Sequence, residues 1–138
     1  MPARADALAV VRAMTGTLAS YEELDRETAA DLALAVDEAC TVLIGMAAAD
    51  APLVLVEDPR AREVNVRVST ICEGAEPEGV EPGSAGFTLS GFSRRVLEAL
   101  TDKVRTFADD IDSEETGSRS PAFGISLTIR RRWAPARV

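Results

Sequence analysis

Residues 31–49 read Asp-Leu-Ala-Leu-Ala-Val-Asp-Glu-Ala-Cys-Thr-Val-Leu-Ile-Gly-Met-Ala-Ala-Ala, and no other stretch limits the possible folds as much. Leu32, Val36, Ala39, Leu43 and Ala47 recur at three and four positions, so one face of an α-helix is apolar while Asp31, Asp37, Glu38 and Thr41 fall off it. The alanines favour the helical state and let neighbouring elements approach closely. The spacing predicts a helix from Arg26, with Asp25 as N-cap and Glu27 in the first turn, to Ala49, where Asp50-Ala-Pro52 stops it. A helix with one long apolar face needs a partner layer to cover it.

The flanking segments supply that layer. Ala5 to Ser20 carries Leu8, Val11, Met14 or Thr15, and Leu18 at helical spacing, with Arg4, Asp6 and Arg12 toward solvent. Tyr21 to Asp25 breaks this first helix. Leu53 to Glu57 and Glu63 to Cys72 are β-branched, and the second alternates Val64, Val66 and Val68 against Asn65, Arg67 and Ser69, which predicts a hairpin turned at residues 58–61. Residues 73–86 are rich in Gly, Pro and Glu and read as a long acidic loop. Phe87 to Leu100, with Leu89, Phe92, Val96, Leu97 and Leu100, returns to helical spacing. Val104 to Ala108 reads as a short strand, 109–120 as a second acidic loop, and Ala122 to Arg132 as a last strand with Ile125, Leu127 and Ile129 on one face. The Arg130-Arg-Arg-Trp133 end reads as a solvated basic tail. The fold class expected is an α/β (α+β) two-layer sandwich, a mostly antiparallel sheet with helices packed on one face.

With 138 residues, 46% hydrophobic and 28% charged, the chain fits one domain, 1–138, with a real core. No apolar run approaches the roughly 20 residues that span a bilayer, and residues 1–6 lack the features of a secretory signal, so a cytoplasmic location with both cysteines reduced is expected. The net charge of −8 repels nucleic acid and favours a partner with basic patches; no membrane contact is expected. There is no histidine, which removes the commonest general base and transition-metal ligand, and no cysteine or carboxylate spacing suggests a metal site.

The wording of the central helix, "LALAVDEACTVLI", resembles the first ATP-site helix of the bacterial anti-sigma factor and serine-protein kinase family of RsbW type, a branch of the histidine-kinase-like (GHKL) ATPases. Those helices read Ala-Val-x-Glu-Ala-Cys-Thr-Asn. "VLEALTDKV", from Val96 to Val104, is similar to the family's Leu-Ile-x-x-Leu-x-Asp-x-Val segment behind the nucleotide lid. Order and spacing agree over nearly the whole chain. The resemblance implies a histidine-kinase-like ATPase fold and a protein that holds a sigma factor away from RNA polymerase until an anti-sigma factor antagonist competes. It also implies a homodimer supported by a strand before the first helix, although this chain begins at the helix.

The resemblance further implies an ATP site, and four of its positions are altered. A Glu one turn before an Asn would position attacking groups and hold Mg²⁺; Glu38 is present, but the Asn position is Val42, which cannot ligate magnesium. The Asp-x-Gly that would accept from adenine reads Cys72-Glu73-Gly74, with the Gly kept and the Asp gone. The Gly-x-Gly that would bring backbone N–H groups to phosphates reads Gly91-Phe92-Ser93, and the Gly-Thr near the last strand reads Gly124-Ile125. Each lost hydrogen-bonding partner typically costs about 1–3 kcal/mol. Weak or no ATP binding is therefore expected, with Glu38, Gly74 and Gly91 as remnants and no cofactor. The alternative is an active ATP- and Mg²⁺-dependent serine-protein kinase acting on its antagonist, with Glu38 catalytic. The position matching the family's partner-binding Arg is Arg12.

Overall fold

The computed structural model describes residues 1–72, 88–112 and 119–132. The chain runs α1 (Ala7–Tyr21), α2 (Arg26–Met46), β1 (Leu53–Pro59), β2 (Glu63–Ile71), α3 (Gly91–Leu100), β3 (Lys103–Asp112) and β4 (Arg119–Arg130). The four strands form one sheet in the order β1-β2-β4-β3, every neighbouring pair antiparallel. The three helices pack on one face of it, the two-layer α+β sandwich expected from the periodicities.

The sheet's inner face is set by strand parity. Val64, Val66, Val68 and Thr70 of β2 alternate inward, as do Ile125, Leu127 and Ile129 of β4, all of them buried. Against them α2 presents Leu32, Ala35, Val36, Ala39, Cys40 and Leu43, each with no accessible surface. Asp25 caps α2 by accepting from the Thr28 N–H at 2.8 Å, and Glu27 lies in the first turn, both as the sequence predicts. The helix ends at Met46 rather than Ala49. Ala47 turns extended and bridges Cys72, and the Ala48 N–H donates to the Ile71 carbonyl, so pairing with the end of β2 takes these residues out of the helix.

Several other boundaries shift for physical reasons. In α1 the buried stripe is Ala7, Val11, Thr15 and Ala19, so Thr15, not Met14, faces inward, and Tyr21 ends the helix instead of breaking it. β1 runs on to Pro59, which an edge strand tolerates because no partner needs its missing N–H on the open side. The α3 helix starts at Gly91, capped by Ser90, and Phe92 is 76% exposed; Ser93 and Leu97 face the core instead. The β3–β4 ladder continues through Asp109↔Ala122 to Asp112↔Arg119, into a segment expected to be loop. An antiparallel ladder is closed by backbone groups, so acidic side chains do not end it. Pro121 lies beyond the last β2–β4 pair, Ile71↔Ala122, where β4 has only one neighbour.

The chain does not start directly at α1. Met1 and Leu53 exchange backbone hydrogen bonds, Pro2 bridges Pro52, and the Ala3 N–H donates to the Ala51 carbonyl, so residues 1–3 pair alongside the approach to β1. The basic end of β4 is also not a free tail. The Arg131 side chain is 8% exposed, pairs with Glu22 at 2.8 Å and donates from Nε to the Arg60 carbonyl, while the Arg132 carbonyl accepts from the Asp25 N–H. These contacts tie the α1–α2 connection and the β1–β2 turn to one strand end. Trp133 and the loop 73–86 lie outside the described residues.

Arg131→Ala leaves the half-buried Glu22 without its cation and removes the Arg131 contact to the Arg60 carbonyl, and is expected to destabilise the chain by about 1–3 kcal/mol in urea unfolding, with Glu22→Gln recovering part of the loss in the double variant. On the sheet's outer face the Phe107 ring lies across Gly124, with the Arg67 guanidinium 4.4 Å from its centroid, and a Cβ at position 124 would run into that ring. Gly124→Ala is expected to cost about 1–3 kcal/mol, and markedly less in a Phe107→Ala background.

Candidate functional site

The α2 helix lies between α1 and α3, and its two consecutive acids turn to opposite flanks. Asp37 faces α1, where its carboxylate accepts from Arg12 Nε at 2.8 Å and Nη2 at 3.2 Å. This two-point pair holds the guanidinium in one plane, and Asp37 raises the Arg12 pKa through the hydrogen bond and its charge. Arg12 is thus a clamped, surface-presented cation and not a freely solvated one. The sequence reading missed Asp37 as its partner. The signal available was opposite charge on two helices joined by a short turn, but spacing alone does not say which residues of two helices face each other.

Glu38 faces α3. Its Oε1 accepts from the Ser93 hydroxyl at 2.9 Å, while the Ser93 N–H donates to the Ser90 side chain at 3.2 Å. The carboxylate therefore lies at the first turn of α3, where the helix dipole favours negative charge. Gly91 opens that helix, and a Cβ there would meet nothing within 4 Å. Val42, one turn beyond Glu38, is partly buried and packs on the core. Cys72 is buried beside β4, and burial pushes its thiol pKa up despite an opposing backbone hydrogen bond from Phe123. Ile125 is fully buried in the core, and Gly124 serves the Phe107 ring on the opposite face of the sheet. Gly74 and Glu73 lie outside the described residues.

The structure thus brings together Glu38, Ser93 and Gly91 and directs Val42, Cys72 and Ile125 into packing. Of these residues Glu38 is engaged by Ser93, while Cys72 and Ile125 lie in the core and Val42 packs against it. Among the described residues no group of three or more His, Cys, Asp or Glu could hold a metal ion. Cys40, on the buried face of α2, has its pKa pushed up to about 12 by burial, aided by the charge of Asp37, so its thiol is an inert packing group.

A second feature lies on the other side of α1. Ala13, Met14, Thr17, Leu18 and Tyr21 line an open groove of about 490 Å³ whose wall on the β1 side is Glu57. Glu57 is in phase with Leu53 and Leu55 on the inward face of β1, which was its signal in the sequence: a carboxylate where the alternation calls for an apolar residue. Its Oε1 is buried and accepts no hydrogen bond among the described residues. An adjoining groove of about 640 Å³, lined by Arg12, Ala13, Gly16, Thr17, Ser20 and Tyr21, continues toward the Arg12–Asp37 pair.

Three helices on a four-stranded antiparallel sheet, with the central helix carrying Glu38 to the start of α3, make a sandwich of the histidine-kinase-like ATPase kind. Two relatives from Mycobacterium tuberculosis, strains CDC 1551 / Oshkosh and ATCC 25618 / H37Rv, are both named anti-sigma-F factor RsbW; each is 46% identical over 129 residues, 94% of this chain and 70% of the relative. The chain belongs to the RsbW anti-sigma factor family. No protein-family model matches it.

Burial raises the Glu57 pKa, so the folded state holds this proton to higher pH than the unfolded chain does. Stability from this group is full below the ordinary glutamate range and is lost as pH rises through the raised value. Glu57→Gln removes that loss. Its urea midpoint is expected to exceed that of the wild type by more at pH 7 than at pH 4, and a gap that shrinks with rising pH would contradict the assignment.

Proposed function

We propose that this chain is an anti-sigma factor that acts by sequestration in the cytoplasm: it binds a sigma factor through the α1 face beside α2, and an anti-sigma factor antagonist competes for the complex. The 46% identity to the two proteins named anti-sigma-F factor, extending over 94% of the chain, carries this reading. The surface chemistry supports it. A net charge of −8 suits a partner with basic patches and disfavours nucleic acid, and Arg12 stands exposed but oriented by Asp37, which lowers the entropic cost of a directed contact. Among the described residues no helix is long and apolar enough to cross a membrane.

The same proposal includes weak or no ATP binding. Val42 packs at the position that matches the family's amide ligand, and Glu38 is held by Ser93, so a nucleotide would have to break that bond while Val42, one turn on, offers magnesium no ligand. The chain then works by occupying its partner's surface, without phosphate transfer. Pairing of residues 1–3 with 51–53 partly occupies the edge of the sheet beside β1, so a homodimer formed there would have to displace or extend this pairing.

Capture of partners from the native cytoplasm on the immobilised chain tests the reading, with a sigma factor expected among them. Arg12→Glu is expected to weaken that capture about tenfold or more, while Asp37→Asn, which keeps the cation but loosens it, is expected to have a smaller effect. If Arg12→Glu retains full affinity and only lowers the unfolding midpoint, Arg12 serves the α1–α2 contact alone.

A further inference from the structure

We propose that the groove between α1 and β1 is a docking site for an apolar helical segment of a partner protein that carries a lysine or arginine, with Tyr21 and Met14 as apolar contacts and Glu57 as the anion that receives the cation. The proposal deepens the protein-binding reading above and rests on it. Tyr21 is 83% exposed and Met14 39%, unusual for large apolar side chains on a helix whose opposite stripe is fully used in the core. Both belong to the row Ala13, Thr17, Tyr21 and its neighbours one turn apart, a surface whose small residues leave room for a second helix to approach.

Glu57 sets the chemistry of the occupant. A purely apolar groove would take any greasy segment, but here the wall is a carboxylate with one buried oxygen that no described donor reaches. Holding a charge with one oxygen buried and unmatched is costly, and a cation from a partner that meets the carboxylate from the groove side offsets that cost at the moment of binding. Tyr21 supplies a rigid amphipathic anchor beside it, the residue type that carries a large share of the binding energy at interface centres. The chain's net charge of −8 draws a basic segment. Occupancy there would continue along the same ridge to Arg12, placing the groove and the clamped cation on one continuous surface.

The test uses the full chain, ¹⁵N-labelled, and an 18-residue amphipathic helical peptide of leucine and lysine at about 0.15 M salt, an ionic strength at which surface charges more than about 8 Å apart are screened. Amide shifts are expected in the Ala13–Tyr21 segment and at Glu57, with affinity about tenfold above that of the same peptide carrying glutamate for lysine. Glu57→Gln, which removes a desolvated charge and should fold at least as well as the wild type, is expected to erase most of that preference; Tyr21→Ala is expected to weaken both peptides. Shifts centred on the acidic start of α2, unchanged preference in Glu57→Gln, or absence of binding would overturn the proposal. So would shifts of the α1 amides on simply concentrating the chain, which would assign the groove to a second copy. Sigma-factor capture by the same variants separates this inference from its foundation. Capture by the wild type with about fivefold or greater loss in Tyr21→Ala and Glu57→Gln supports the groove; equal capture by all three overturns it and leaves the anti-sigma reading standing. No capture even by the wild type overturns that reading, and the peptide shift map then decides the groove alone.

Discussion

Everything in this molecule is referred to the buried face of α2. Leu32, Val36 and Leu43 lie against the inward valines of β2 and the isoleucines and leucine of β4 with no surface left exposed, each contributing roughly 1.5–3 kcal/mol of apolar burial as an upper estimate. An exposed ion pair is worth far less than that. The rotation of α2 about its own axis is therefore fixed by the core and not by its acids. Once that rotation is set, residues 37 and 38, about 100° apart on the helix, have no choice of direction: Asp37 meets α1 and Glu38 meets α3. The clamped Arg12 and the serine-bound Glu38 are consequences of hydrophobic packing.

The same constraint explains what was readable in the sequence. Valines 64, 66 and 68 and residues 125, 127 and 129 named the inward face correctly because a strand's parity survives any tertiary arrangement. Asp25 could be named as a cap because capping is local. Phe92, Met14 and Arg131 could not be placed, since an amphipathic count treats every apolar residue as core and every arginine as surface. Which stripe of a short helix is buried depends on its neighbours, and Arg131 is buried because the α1–α2 connection and the β1–β2 turn converge on it. Gly124, matched by resemblance to a glycine of a nucleotide motif, has a packing role that spacing did not show: its lack of a Cβ makes room for the Phe107 ring on the far face. The pairing of Arg12 with Asp37, and the groove at Glu57, exist only between elements and left no local mark beyond a carboxylate on the inward parity of β1.

Function follows from the division of labour between the two flanks of α2. On the α3 side, Glu38 accepts from Ser93 and its helical neighbour Val42 packs against the core. On the α1 side the surface is richer: a cation held in a fixed orientation, exposed tyrosine and methionine, and a carboxylate with a buried oxygen that no donor among the described residues reaches. In a member of the RsbW family, this distribution is the basis for the proposed protein interface on the α1 side.

The affinity of the captured sigma factor for the purified chain, measured by calorimetry with and without Mg-ATP, tests this division most directly. The account predicts tight binding without nucleotide and a change of less than about twofold when Mg-ATP is added, because no coupling free energy can arise from a ligand that does not bind. Binding that appears only with Mg-ATP, or strengthens tenfold or more in its presence, would contradict it.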